Sequence, residues 1–314
     1  MSDTTTPAGT TRPTTVRDRV DEATPSAGRM ALYVAGVVFW GWVLFRWVNR
    51  WLGEPFVPDG EPVVPPAAIE AGLAGLPVLG AYADGIAFAV ETLPRLAGGL
   101  WLTVLITLSS LFVGFFIAVP LAVARVYGNY TAYASLGYTE LLRGTPLLAQ
   151  LFVLHFGLNL GGYVPSFLDG VFPRNVVWVA IVGFILNGAA YQAEYIRGAL
   201  ESVDLGQITA GRAIGLSKIE TIYYVVLPQG LRYAIPSWTN EFVYLIKYSS
   251  LAAFITVPEL YYRAFAIASD TFRYTAIFVV VGLLYLALVL TASNVMGWVE
   301  RKTAIPGVGT GSER

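Results

Sequence analysis

Long apolar runs separated by short polar stretches set the pattern of this chain. The first run, Met30 to Val48, reads as a helix behind a lead, residues 1–28, that is rich in Ser, Thr, Pro and charge and lacks aromatics. Such a lead is expected to be disordered. Its length, and the absence of a small-residue cleavage site, favour a retained anchor over a secretory signal. Arg50 to Gly80 is rich in Pro and Gly, carries Glu54, Asp59, Glu61 and Glu70, and reads as an extramembrane linker. Ala81 to Gly98 is amphipathic, with Ile86, Phe88, Val90 and Leu93 before Pro94 and Arg95, and is expected to lie along a bilayer surface. Five longer apolar segments follow, near Leu100–Val126, Ala134–Leu160, Val176–Arg197, Leu231–Val257 and Tyr274–Val299. Each exceeds the about 20 residues that a spanning helix needs. The pattern thus predicts an all-α integral membrane protein with six transmembrane helices.

Composition agrees, with 55% hydrophobic residues, 14% aromatic and only 13% charged, too few charges to cover a soluble surface. A net charge of -1 leaves no electrostatic footprint for nucleic acid. Without cysteine there are no disulfides or thiolate metal sites, and the single histidine, His155, sits in an apolar segment where a packing role is expected. These two counts argue against a metal-dependent or nucleophile-based membrane enzyme. Placing Met1 in the cytoplasm puts Arg125, Arg197, Arg212, Lys218, Arg232, Arg301 and Lys302 inside as well. Arg46, Arg50, Arg95, Arg174, Arg263 and Arg273 are then outside, dispersed among acids.

The polar stretch Asp204 to Pro228, DLGQITAGRAIGLSKIETIYYVVLP, lies inside on that topology. Asp204 with Gln207, and Ser217 with Glu220, are two helix N-terminal signatures in succession. They predict one helix over Leu205–Ile214 and another from Lys218 that ends at Leu227, before Pro228. Gly215 stands between them, where a helix C-terminus favours a left-handed residue. Leu205, Ile208, Ile219, Ile222 and Val226 recur at helical spacing, so each helix of this bent knob has a face that wants a partner.

In its spacing, Ala210, Gly215, Val225, Leu227 and Pro228, the stretch resembles the EAA loop of ABC importer permeases. Thr209 stands where that family has Glu, Gly211 replaces an Ala and Val225 an Ile. Leu141–Gln150, LLRGTPLLAQ, and Ala189–Gln207, AAYQAEYIRGALESVDLGQ, are similar to segments of the polar amino acid branch, the histidine, glutamine, glutamate and arginine group. The resemblance runs from about Leu93 to the last helix. It implies a type I permease core over 93–300, built from the last five helices, with residues 29–48 as an extra transmembrane helix and 49–92 as an extracellular linker. The ends, 1–28 and 301–314, would be cytoplasmic. It implies that Thr209, Ala210, Gly211, Gly215, Leu227 and Pro228 couple the chain to an ATPase subunit. Further implied partners are an extracellular solute-binding protein and a second permease, itself or a relative, in the lipid membrane of the cell. No phosphate-binding loop is present, so this chain is expected to carry no cofactor, with ATP and Mg on the partner ATPase. The alternative is a non-transporting scaffold or sensor that recruits a soluble partner through the same knob.

Ionisable and amide side chains inside a membrane are functional candidates, since they are costly unless paired or facing water. Asn187, Tyr191 and Glu194 fall on one helix face, and Asn240, Tyr244 and Lys247 repeat the arrangement on another. Both faces are expected to point into the bundle. A zwitterionic substrate needs a cation for its carboxylate and acceptors for its ammonium. Lys247 and the oxygens of Gln150, Asn187, Tyr191 and Tyr244 are candidates for those parts, unless Lys247 instead pairs with Glu241. Arg143, Glu194 and Glu241 are expected to form a gate or an ion pair nearer the cytoplasm, with Glu140 close by.

Overall fold

The computed structural model describes residues 27–303, and among these every regular element is helical. The expectations for the two ends therefore lie outside the described residues, apart from a few positions at each margin. The chain divides into two compact units, Met1–Phe45 and Arg46–Arg314. In the first, the described residues are the start of α1 (Ala27–Trp51), which exposes Leu32, Tyr33, Val37 and Val38.

The second unit begins with the end of α1, a loop, and the short α2 (Pro66–Leu73). It continues into α3 (Ala83–Tyr127), a helix of 45 residues with Pro94 and Pro120 inside it. The surface segment expected at Ala81–Gly98 is thus not a separate element. Pro94 costs one amide bond but does not end the helix, because Phe88 on one side of it and Leu96 on the other are both buried. Next comes α4 (Tyr130–Arg143), followed after a break by α5 (Leu147–Phe152) with a π turn over Val153–Gly157. The continuous helix expected over Ala134–Leu160 is cut at Gly144-Thr145-Pro146, since proline disfavours the helical conformation of the residue before it.

The centre of the unit is α6 (Val176–Glu201), along which α3 runs closely. Small residues make this approach possible. A methyl group on Gly114 would lie 2.8 Å from Gln192 Nε2 and 3.3 Å from the Ala189 amide nitrogen, and one on Gly188 would collide with Ser110 Oγ. That hydroxyl donates to the Phe184 carbonyl at 2.5 Å, and Gln192 Nε2 donates to the Ser110 carbonyl at 3.1 Å. One apolar core collects Ile106, Leu151, Val177, Phe184, Leu245 and Ile255, and a second collects Ala118, Ala122, Ala193, Ile196, Leu200 and Val226.

Beyond α6 the chain forms α7 (Leu205–Ala213), α8 (Lys218–Thr221), a π turn over Ile222–Val226, and α9 (Leu227–Tyr248). The helix expected to stop before Pro228 does not stop. Pro228 is at the start of α9, where a missing amide hydrogen is tolerated, and the π turn passes the Leu227 amide to the Ile222 carbonyl, so the backbone continues from α8 into α9 without interruption. A 3₁₀ segment (Ser249–Ile255) leads to α10 (Leu260–Thr271), and α11 (Tyr274–Thr303) closes the described chain. Among the described residues, four helical stretches are long and apolar enough to cross a bilayer: Met30–Trp51, Leu79–Tyr127, Val176–Glu201 and Tyr274–Thr303. Lys218–Ile255 with Leu260–Thr271, bent by 55°, makes a fifth if the pair counts as one span.

The turn into α10 is held by Glu259, which is completely buried. Its carboxylate accepts from the amides of Tyr261 at 2.9 Å and Tyr262 at 2.7 Å, and from the hydroxyls of Tyr285 at 3.2 Å and Thr103 at 3.4 Å. One side chain thereby caps α10 and ties it to α3 and α11.

Candidate functional site

The knob is built as its capping signals require. Asp204 accepts from the Gly206 amide at the start of α7. Ser217 and Glu220 form a reciprocal box at the start of α8, with Ser217 Oγ accepting from the Glu220 amide and Glu220 Oε2 accepting from the Ser217 amide at 2.8 Å. The Ser217 hydroxyl, and after it the Ser217 amide, hold the Glu220 carboxyl below the usual range. Between the helices, the Leu216 amide donates to the Gly211 carbonyl and the Gly215 amide to the Arg212 carbonyl, a Schellman closure with Gly215 at φ +95°. Nothing lies within 4 Å of where a Gly215 side chain would begin, so the glycine is required by its backbone conformation alone.

Inside the knob, Gly211 packs on Thr221, whose Cγ2 would be 3.0 Å from an added methyl. Lys218 Nζ donates to the Tyr127 carbonyl at 3.0 Å, which fastens the knob to the end of α3. Leu205, Ile214 and Ile219 are left 77–79% exposed, with Tyr223 and Tyr224 beside them. Of the five apolar residues at helical spacing, Leu205 and Ile219 are outside, Ile222 is half-buried, and Ile208 and Val226 pack inward on the second core. Thr209 and Ala210 are exposed and Thr209 Oγ1 donates to its own helix, at the Leu205 carbonyl.

The candidate residues within the spans fall into two groups. Asn187 Nδ2 donates to Gln150 Oε1 at 3.1 Å and to the Leu142 carbonyl at 3.3 Å. Gln150 Nε2 donates to the Leu142 carbonyl at 2.6 Å and to Thr145. These two amides close the break between α4 and α5 by serving carbonyls that the helix leaves open there. Arg143 lies 5.5 Å from the centre of the Tyr191 ring and 3.6 Å from Glu194, whose other oxygen accepts from Arg197 at 2.6 Å. Arg197 in turn donates to Glu201 at 2.5 Å. Arg143 also reaches Glu140 at 4.0 Å.

The second stripe points elsewhere. Asn240, Tyr244 and Lys247 are exposed on α9 rather than turned into the bundle of this chain. Lys247 Nζ sits 4.7 Å from the centre of the Tyr244 ring, and Tyr244 stacks on Tyr248. Glu241 faces the opposite way, is buried, and accepts from the Tyr195 hydroxyl at 3.3 Å, so it is not the partner of Lys247. A helical stripe read from spacing alone fixes which residues share a face; it does not say what that face meets. His155 is in the π turn after α5, edge-on to Phe156, with Nδ1 unpaired among the described residues.

Sequence reasoning passed over Glu259, Tyr195 and Gln192, the polar residues that join α10, α9 and α3 to their neighbours. For Glu259 a signal was present, since Pro258-Glu259 directly precedes a helical pattern and an acidic N-cap is a common start.

Residues 110–305 match the family model described as binding-protein-dependent transport system inner membrane component. Among curated proteins, the nopaline transport system permease protein NocM of Agrobacterium fabrum is 35% identical over 67% of this chain and 88% of its own length. The probable amino-acid ABC transporter permease protein YckA of Bacillus subtilis is 36% identical over 71% of this chain and 95% of its own. Among solved structures, an amino acid ABC transporter crystallised with histidines superposes with a TM-score of 0.61 at 28% identity, over 70% of this chain and 98% of that one.

Proposed function

The chain belongs to the family of binding-protein-dependent transport system inner membrane components, and on that premise we propose that it is the permease subunit of an ATP-driven importer of polar amino acids. It is a multi-pass protein of the cell membrane and a translocation subunit, and ATP hydrolysis belongs to a separate subunit. The observation that carries the coupling role is the knob of α7 and α8, folded around Gly215, with Leu205, Ile214 and Ile219 bare on its outer side. We assign that surface to an ATPase subunit carrying ATP and Mg, and the opposite membrane face to an extracellular solute-binding protein. The names of the relatives support amino acids as the cargo.

The exposed stripe Asn240, Tyr244 and Lys247 is assigned to the translocation path, shared with a second permease copy or a relative. A cation held over a phenol ring, with no carboxylate partner among the described residues, is free to take a substrate carboxylate. Gln150, Asn187 and Tyr191 are on the same path in this reading, with Arg143 and Glu194 as an ion pair toward the cytoplasm. Six spans follow if α4, the break at Gly144–Pro146 and α5 together make one crossing. In reconstituted vesicles with ATPase and binding protein, Lys247→Met should leave assembly and basal ATP hydrolysis in place and reduce amino acid uptake to background. Uptake at the unsubstituted rate would return Lys247 to a structural role.

A further inference from the structure

A group of arginines gathers where α1 ends against α3 and α10, largely in the part of the chain that the family match does not cover. A side-chain atom placed on Gly98 would collide with Arg50 Nη1 and lie 3.2 Å from Arg263 Nη2, so the two guanidinium groups share the space above one glycine. Gly99, next to it, is crossed by the Arg263 side chain, 2.9 Å from the corresponding point. Arg95, one turn earlier on α3, lies alongside Gly60 of the loop that follows α1.

The charges here are unevenly matched. Arg50 donates to Asp59 at 2.6 Å, and Glu54 serves the Asp59 amide. Arg46 spends its donors on the carbonyls of Glu61 and Pro58. Arg263 donates to the carbonyls of Pro258 and Arg95, and neither Arg263 nor Arg95 has a carboxylate partner among the described residues. Adjacent guanidinium groups repel unless an anion lies between them, and planar, forked donors suit a phosphate.

The surroundings indicate which phosphate. Trp101, three residues from Gly98, makes edge-to-face contacts with Trp47 and Trp51, and Trp47 Nε1 donates to the Ala97 carbonyl at 2.9 Å. Indole clusters of this kind collect at the headgroup level of a bilayer. Trp51, Leu52 and Phe56 remain exposed beside the arginines, an apolar flank suited to acyl chains rather than to a free ion.

We propose that Arg50 and Arg263 over Gly98, with Arg95 one turn earlier on α3, form a binding site for the phosphodiester of an anionic phospholipid headgroup. The leaflet it occupies rests on the orientation assigned above, as the outer one; the binding itself does not. The chain fixes the lipid by placing Arg95 and Arg263, neither of which has a carboxylate within ion-pair distance among the described residues, around the phosphate oxygens, with Arg50 kept in position by Asp59, whose charge also reaches Arg263.

The test is thermal unfolding of the purified, detergent-solubilised full chain during titration with phosphatidylglycerol, phosphatidylcholine or inorganic phosphate, together with native mass spectrometry of retained lipid. Phosphatidylglycerol is expected to raise Tm and to remain bound, while phosphatidylcholine does neither. Arg263→Gln and Arg95→Gln should each weaken the phosphatidylglycerol half-saturation roughly tenfold, the loss of one charge-assisted contact. Arg95 is exposed, so its variant is informative even if Arg263→Gln folds poorly. Equal responses to the two lipids, or an undiminished response in Arg95→Gln, would overturn the site. An equal shift with inorganic phosphate alone would make it a free-phosphate site and overturn the lipid assignment. None of these readings depends on transport, so their failure is separate from any failure of the importer assignment.

Discussion

Glu259→Leu is expected to remove most of the correctly folded protein from the membrane, while Glu259→Gln, which leaves one amide rather than two without an acceptor, retains more of it. Leucine leaves the buried amides of Tyr261 and Tyr262 without acceptors, at about 1–3 kcal/mol each, and the hydroxyls of Tyr285 and Thr103 lose a partner as well. A sum of about 2–6 kcal/mol is comparable with the whole stability margin of a folded domain. Glutamine keeps one acceptor oxygen, which in the place of Oε2 still serves the Tyr261 amide and the two hydroxyls, so that only the Tyr262 amide loses its acceptor. Space is also limited: a methyl group on Gly99 would come 2.9 Å from the Glu259 carbonyl, so the backbone of α3 holds the turn in place from behind. Fluorescence-detected size exclusion and thermal unfolding of both variants give the comparison. Equal stability of Glu259→Leu and the unsubstituted chain would show that the carboxylate does not hold the turn.

Gly215→Val is expected to abolish capture of the ATPase while sparing membrane insertion. Positive φ at +95° is disfavoured for a β-branched residue by about 1–3 kcal/mol, and the open space around the position means that no packing defect is added. The strain is relieved by reopening the Schellman closure, which changes the angle between α7 and α8 and separates Ile214 from Ile219. Gly215→Ala should show the same loss more mildly. Thr209→Glu, which restores the family residue on the exposed side of α7, should preserve or strengthen capture. Detergent co-purification of the ATPase, normalised to permease in the membrane, measures all three. A full complement of ATPase on Gly215→Val would refute the knob as the docking element.

The knob was legible because each of its features is local: an N-cap is a matter of three residues, and a glycine between two helices is nearly unambiguous. The break at Gly144-Thr145-Pro146 was equally local and was overridden by the apolar run around it. Pro228 misled in the opposite direction, since a proline ends a helix only where the backbone cannot widen by one residue, and whether it can is decided by packing. The stripe Asn240, Tyr244 and Lys247 was found at the right spacing but assigned to the interior. Hydrophobic pattern separates lipid from everything else inside a membrane; it does not distinguish a face turned to its own chain from one left for another. Glu241 shows the same limit, because the Tyr195 hydroxyl that meets it lies 46 residues away in sequence, and so in part does Glu259, one of whose four partners, Thr103, lies 156 residues away.

The unbroken path from Lys218 to Tyr248 makes the docking knob and the Lys247 stripe two ends of one rod, about 45 Å long at 1.5 Å per residue. In the proposed reading a tilt imposed at Ile219 would pass along this one helical path, through the π turn at Ile222–Val226 and past Pro236, toward Lys247 without a relay of side chains.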